Sequence, residues 1–248
     1  MNYGRIYPSI ISLLGTIKGS LRASQLKLSA ALRRLNIHSA LAIAGIIGPL
    51  ALAAGDVTAG LTTPYYSLVK NSISSLALSK IGWLQTIGFL ALGLLVEVFT
   101  AGLLYNVKRA RWFHLGIAAF VLFGFGMLCI GAFNTDIPGG ATTIKGMIHG
   151  LATKVSFSLF PIAVLLLGLN FKKDPDWRCL YKYSIVTCIF TVVCAVALAF
   201  FKDGANYFGL VERVLVANMI LWVEVSAINL LRLSVKRGFR VDNEAQIG

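Results

Sequence analysis

The sequence predicts an all-α membrane protein, a polytopic bundle of six transmembrane helices. Hydrophobic residues make up 57% of the 248 positions and charged residues only 13%, about half of what a soluble domain usually carries. Six separate apolar stretches approach or exceed the roughly 20 residues that a helix needs to cross a bilayer. A chain of this length leaves room for one membrane domain and for no sizeable soluble domain.

A basic segment, residues 1–37, precedes the first predicted span. It carries six basic residues and no acidic residue before Asn36, in a Ser- and Leu-rich context. This composition is typical of an amphipathic helix that lies on the cytoplasmic membrane surface and is attracted by anionic lipid. An organellar transit peptide has a similar composition, but no cleavage signal is evident, so we prefer the surface helix.

The first three spans are predicted from apolar runs that begin or end near interfacial residues. The first runs from about Ser39 to Asp56 and is rich in glycine and alanine, which let helices approach closely in lipid. A loop with several polar residues follows, and the second span is predicted at Trp83–Tyr105. A tight basic turn then leads into the third span, Trp112–Phe133.

Three further apolar runs complete the predicted membrane domain. They lie at about Met147–Phe171, Leu180–Phe201 and Gly209–Leu231. The membrane domain as a whole is therefore expected to cover residues 38–232, followed by a cytoplasmic tail at 233–248.

The distribution of basic residues predicts that both termini lie in the cytoplasm. With the N-terminus inside, 17 of the 23 Lys and Arg residues fall on inner segments, a strong positive-inside signal. We therefore expect an integral membrane protein whose N- and C-terminal segments face the cytoplasm. The net charge of +13 comes from these clusters at span ends, which argues against nucleic acid as a partner.

Polar residues gather at the predicted outer end of the spans. They are Asp56, Ser72, Ser74, Ser75, Asp136, His149, Glu212 and Arg213. His149 begins a polar stripe with Thr153 and Ser156 on one helical face, which we expect to point into the bundle.

Two interpretations of these residues stay open. In the first, Asp136 and His149 are acid–base catalysts in a pocket on the outer side. Its binding residues are Arg213, Glu212, Ser72, Ser74 and Asp56. In the second, the same residues hold loops to helices: Asp136 caps a helix, His149 bonds to a carbonyl, and Arg213 pairs with a carboxylate such as Asp136.

Three charged residues lie away from the ends of the predicted spans. Glu97 and Glu224 sit at similar depths, near 20 Å from the outer end by helical rise. Lys154 is closer to the outer end and is long enough to reach toward one of them. The two acids either couple a proton or cation, as in a transporter, or are neutral and bond to neighbouring helices.

No motif for a metal or cofactor is apparent, so neither is expected. His38 and His114 are predicted at the inner interface and His149 at the opposite one, which prevents them from sharing a metal ion. The four cysteines form no CxxC pair, and GxSxG, HExxH, Walker and dinucleotide motifs are not found.

The outer residues occur in short blocks that resemble an uncharacterised prokaryotic family of six-span membrane proteins, domain of unknown function 998. The blocks are Tyr66, Asn71-Ser72-Ile73-Ser74-Ser75-Leu76-Ala77, Gly82-Trp83-Leu84, Phe133-Asn134-Thr135-Asp136, His149, Gly209-Leu210-Val211-Glu212-Arg213 and Trp222. The family pattern has an acid where Ser75 stands and a proline where Asn134 stands. The resemblance covers about residues 38–232 and implies the fold and the position of a site, but no reaction. It also implies that the protein lies in a prokaryotic inner (plasma) membrane.

Three functions are compatible with the sequence. The first is a non-enzymatic accessory, sensor or assembly protein whose partners are membrane lipid or other membrane subunits. The second is a membrane-embedded enzyme that acts on outer-leaflet lipid through Asp136 and His149. The third is a small transporter that is coupled through Glu97 and Glu224.

Overall fold

A computed structural model describes residues 36–137, 139–201 and 207–247, with side chains as far as Lys236. Its long helices are α1 (Ile37–Thr62), α2 (Trp83–Asn106), α3 (Phe113–Ala132), α4 (Ile144–Phe171), α5 (Tyr181–Ala199) and α6 (Phe208–Ile247). Short 3-10 helices occur at Ser74–Leu78 and Arg178–Leu180. Within the described ranges there is no strand, and six helices are long and apolar enough to cross a membrane. The predicted fold class is confirmed, while nearly all of the predicted basic segment, residues 1–37, lies outside the described residues.

Side-chain caps explain where two of the helices begin. The Asn36 side chain accepts a hydrogen bond from the Ser39 backbone N–H at 3.0 Å, and α1 starts directly after Asn36. The Thr143 hydroxyl accepts from the Gly146 N–H at 3.1 Å, which starts α4 before the predicted span. At the other end of the chain, the backbone of α6 continues as a helix through the predicted tail to Ile247.

The helices form a ring in chain order, because each packs against the next and α6 packs against α1. The outer end is defined here as the end where α1, α3 and α5 finish and α2, α4 and α6 begin. The orientation of this end in a membrane stays a prediction. Small residues allow close packing in the ring: a Cβ added at Gly88 of α2 would lie 3.1 Å from the Leu52 Cα of α1.

Aromatic rings fill the centre of the bundle. The Trp222 ring of α6 makes edge contacts with Phe120 of α3, at 5.5 Å between centroids, and with Phe160 of α4, at 6.0 Å. Phe123 packs edge-on against Phe160 at 4.9 Å. These rings are among the largest fully buried side chains of the described residues.

Buried polar side chains join the loops at the inner end. The Asp174 carboxylate accepts from the Lys108 backbone N–H at 2.8 Å, and the Asn170 side-chain oxygen accepts from the Ala110 N–H at 3.1 Å. The Trp177 indole N–H donates to the Asn106 carbonyl at 3.2 Å. These hydrogen bonds hold the loops of the inner end to each other. The search for a functional site therefore turns to the polar side chains at the outer end.

Candidate functional site at the outer end of the bundle

Arg213, near the start of α6, holds the loop between α1 and α2 in place. Its Nε and Nη2 donate to the two carboxylate oxygens of Asp56, at 3.1 and 2.9 Å. Nη1 donates to the carbonyls of Leu68 and Asn71, at 2.8 and 2.9 Å, and Nη2 also donates to the Tyr66 hydroxyl. Every N–H of the guanidinium therefore has an acceptor. We call this set of residues the Arg213 clamp.

The carboxylate that pairs with Arg213 differs from the one named in the sequence interpretation. The partner is Asp56 of α1, because α1 packs against α6. Asp136 instead lies before α4 and accepts from the Thr143 hydroxyl at 2.6 Å and from the Thr143 backbone N–H at 3.1 Å. It packs so closely on Gly146 that no Cβ fits there. The bidentate arginine pair is present, but the assignment to Asp136 was wrong.

Tyr66 also belongs to the Arg213 clamp, a role that the sequence analysis did not predict. Its hydroxyl donates to the Ser72 carbonyl at 2.7 Å while it accepts from Arg213. Burial raises the pKa of Tyr66 to about 12, although the neighbouring Arg213 opposes this shift. The phenol is therefore neutral at physiological pH and serves as both donor and acceptor.

Glu212 and Ser72 shape the loop that carries Ser74. The buried Glu212 carboxylate accepts from the Ile73 backbone N–H at 2.7 Å, which ties the Ser74–Leu78 helix to α6. The Ser72 carbonyl accepts from the Ser75 hydroxyl at 2.7 Å within the loop. These bonds fix the backbone on either side of Ser74, whose side chain is buried.

His149 of α4 bonds to Ser74 and to two backbone carbonyls. Its Nδ1 lies 2.7 Å from the Phe133 carbonyl oxygen and 3.2 Å from that of Ile130, and its Nε2 lies 3.0 Å from Ser74 Oγ. A carbonyl oxygen can only accept, so Nδ1 carries a proton. In the tautomer with a single proton on Nδ1, Nε2 is an acceptor and the Ser74 hydroxyl donates to it.

Asp136 and His149 therefore have different partners. No hydrogen bond joins them in the part of the chain that the structure describes, and each makes the contacts expected of a residue that holds a loop to a helix. Proton exchange between Asp136 and His149 stays a prediction.

A large apolar cavity opens on the side of the bundle, between the middle of α4, the outer half of α5 and the start of α6. Its volume is about 810 Å³, within the range of small-molecule sites. Its walls include Phe157 and Leu165 of α4 and Val192 and Val196 of α5. We call this cavity the α4–α5–α6 groove.

A much smaller cavity lies between the groove and Ser74. Its volume of about 10 Å³ is roughly that needed to hold one water molecule. It shares Thr153, Phe157 and Glu212 with the groove and is also lined by Ser74. Ser74, which is hydrogen-bonded to His149, therefore lies behind the wall of the groove.

Comparison with known proteins places the chain in a family. The model of the family described as "Protein of unknown function (DUF998)" matches residues 46–229. The chain belongs to the DUF998 family. The match runs from α1 into α6 and includes the Arg213 clamp, the Ser74–His149 pair and the groove, which confirms the family resemblance seen in the sequence. No curated protein and no solved structure matches the chain.

Glu97, Glu224 and Lys154 of this DUF998 protein lie on three different helices. Glu97 of α2 faces α3, where a Cβ at Gly124 would lie 2.5 Å from Glu97 Oε1, whereas Glu224 lies on α6. Lys154 is exposed and lines the groove. Among the described side chains, no hydrogen bond or ion pair joins these three, and no three His, Cys, Asp or Glu residues are grouped to hold a metal ion. Coupled transport through the two glutamates stays a prediction.

The sequence analysis did not predict the groove because most of the residues that line it are apolar. The groove arises where α5 stands away from its neighbours, and α5 is the least enclosed of the six described spans. In the sequence, Lys154 was the one indication of a binding site on this side of the bundle, because a cation on an apolar helix is costly without a partner.

Proposed function

We propose that this DUF998 protein binds an anionic lipid of the outer leaflet, with an acyl chain in the α4–α5–α6 groove and the headgroup beside Lys154. The observation that carries the proposal is the groove itself, a cavity of about 810 Å³ with Lys154 on its rim.

The position and lining of the groove suit an acyl chain. Ile162, Val192 and Val196 line it and are each about half exposed, so it opens toward the lipid-facing side of the helices. An empty groove of this size would forfeit the dispersion contacts that close packing provides. A flexible hydrocarbon chain from the surrounding lipid restores those contacts.

Lys154 supports an anionic headgroup as the polar part of the ligand. It lies ten residues into α4, about 15 Å along the helix from Ile144. Its side chain is exposed and makes no ion pair with the described residues. A lysine at this depth extends its ammonium toward the headgroup region, where a lipid phosphate is the available counter-ion.

The test uses the full chain in nanodiscs that contain phosphatidylglycerol with a photoreactive acyl chain, and crosslinked peptides are mapped by mass spectrometry. We expect crosslinks to concentrate on the groove faces of α4 and α5. Val192→Trp fills the groove and should lower the yield at least fivefold, whereas Val193→Trp, on the next and non-lining position of α5, should leave it unchanged.

The headgroup is tested separately by competition between phosphatidylglycerol and phosphatidylcholine. Lys154→Gln should abolish the preference for the anionic lipid, and Lys145→Gln, an exposed lysine at the start of the same helix, should retain it. Crosslinks spread evenly over all six spans, or a groove filled by a helix of a copurified subunit, would refute lipid binding at this place.

A further inference from the structure

We infer that Ser74 and His149 form a nucleophile–base pair that cleaves an acyl ester of the lipid held in the groove. The inference rests on the proposed lipid binding and assigns the reaction to the wall of that same groove. It pairs His149 with a serine rather than with Asp136.

The hydrogen bonds around His149 have the polarity that nucleophilic catalysis by serine requires. The Phe133 and Ile130 carbonyls hold the Nδ1 proton, at 2.7 and 3.2 Å, and leave the Nε2 lone pair directed at Ser74 Oγ, at 3.0 Å. A nucleophile, a base and a third group that orients the base are the three parts of such a site. Here backbone carbonyls take the place of the orienting carboxylate.

Both side chains are held in a protected position. Ser74 is 8% exposed and His149 is 6% exposed. The Glu212 bond to the Ile73 N–H fixes the backbone next to Ser74, and the Arg213 clamp fixes the loop that precedes it. A nucleophile that is held rigidly near its base loses little entropy when it reacts.

The small cavity lies beside Ser74 and shares part of its wall with the groove. Ser74 and Glu212 line it, and Phe157 lines both the small cavity and the groove. Rotation of the Phe157 ring would join the two spaces and bring a lipid ester to Ser74. The space beside Ser74 is large enough for the water that the second half of the reaction consumes.

The reaction balances without a further reactant. Ser74 Oγ bonds to the ester carbonyl carbon while its proton moves to His149 Nε2. The ester C–O bond then breaks, and the leaving alcohol takes that proton, which leaves an acyl-Ser74 intermediate. Water attacks the acyl carbon, His149 takes a water proton and returns it to Ser74 Oγ, and the products are a fatty acid and the deacylated lipid.

The experiment treats the full chain in nanodiscs with a hexadecyl fluorophosphonate, which forms a P–O bond with an activated serine and releases fluoride. Peptide mapping should find the adduct on Ser74. His149→Gln should slow its formation at least 100-fold. Ser79→Ala should react at the wild-type rate, because Ser79 lies in the same loop and its hydroxyl has no partner among the described residues.

The possible outcomes separate the two proposals. If the folded wild type forms no adduct on Ser74, or if His149→Gln reacts at the wild-type rate, the pair is not catalytic, even when lipid crosslinks still map to the groove. If an ethyl fluorophosphonate labels Ser74 as fast as the hexadecyl probe, the pair is reactive but the groove does not select an acyl chain. Release of fatty acid from phosphatidylglycerol by the wild type, and its loss in Ser74→Ala, would identify the ester bond that is cleaved.

Discussion

Asp56, near the end of α1, binds the guanidinium of Arg213, near the start of α6, through both of its carboxylate oxygens. The two side chains are only 14% and 15% exposed, so they form a largely desolvated pair. The pair joins the first and last spans of the ring and, through Arg213, the loop that carries Ser74. This contact therefore holds the loop between α1 and α2 at the junction of the first and last spans.

Arg213→Lys tests the clamp. Lysine keeps the charge but offers three donors on one nitrogen, so the Asp56 carboxylate and the loop carbonyls lose partners. We expect a loss of roughly 3 kcal/mol in the free energy of unfolding, the cost of breaking a buried pair. Thermal unfolding in detergent micelles provides the measurement. Arg232→Lys, an exposed position on the same helix, is the control, and equal melting temperatures for both variants would show that the clamp is dispensable.

Tyr66 predicts a specific sensitivity to alkaline pH. Its pKa is raised from 10.0 to about 12 by burial, so between these values the unfolded chain has lost a proton that the folded chain retains. Stability therefore falls as pH rises through this interval. Tyr66→Phe has no phenol to ionise, so its melting temperature should fall less steeply than that of the wild type from pH 10 to pH 12.

Tyr65→Phe provides the control for this pH experiment, because the Tyr65 side chain next in sequence is fully exposed. Its curve should follow that of the wild type. Since lysines titrate in all three proteins, only the difference between the curves reports on Tyr66. Parallel curves for the wild type and Tyr66→Phe would contradict the assignment of this pH dependence to Tyr66.

The sequence predicted the spans well because hydrophobicity over some 20 residues follows from the bilayer and not from tertiary contacts. The outer polar set was also identified, since costly polar residues are visible in an apolar chain. Which of these polar side chains bind each other could not be predicted. The choice between Asp56 and Asp136 as partner of Arg213 depends on which helices are neighbours in the ring, and one sequence does not specify the order of helices.

Gly146→Ala tests the cap at the start of α4. A Cβ at this position would occupy the place of the Asp136 carboxyl group, which would have to leave Thr143. We expect a loss of about 1 kcal/mol in the free energy of unfolding, as for other lost caps.

Gly150→Ala is the matched control, one turn further along the same helix, because nothing lies within 4 Å of a Cβ there. Alanine favours a helix over glycine by up to about 1 kcal/mol, so this variant should be as stable as the wild type or more stable. If the two variants had the same melting temperature, the contact between Asp136 and α4 would not contribute to stability.

Phe157 is expected to control access from the groove to Ser74, since its ring lines both cavities. Phe157→Ala removes the ring and should join the groove to the space beside Ser74. If ring rotation limits the encounter, labelling of Ser74 by the hexadecyl fluorophosphonate should become roughly tenfold faster, which corresponds to about 1.4 kcal/mol of barrier.

A large-to-small substitution also destabilises a packed core, so faster labelling must be separated from general loosening. Phe125→Ala on α3 removes an exposed ring that lines neither cavity and should label at the wild-type rate. His149→Gln combined with Phe157→Ala should remain slow, because access alone does not activate a serine hydroxyl. An equally fast double variant would mean that the opened cavity exposes an ordinary serine, and that His149 only holds the loop to α4.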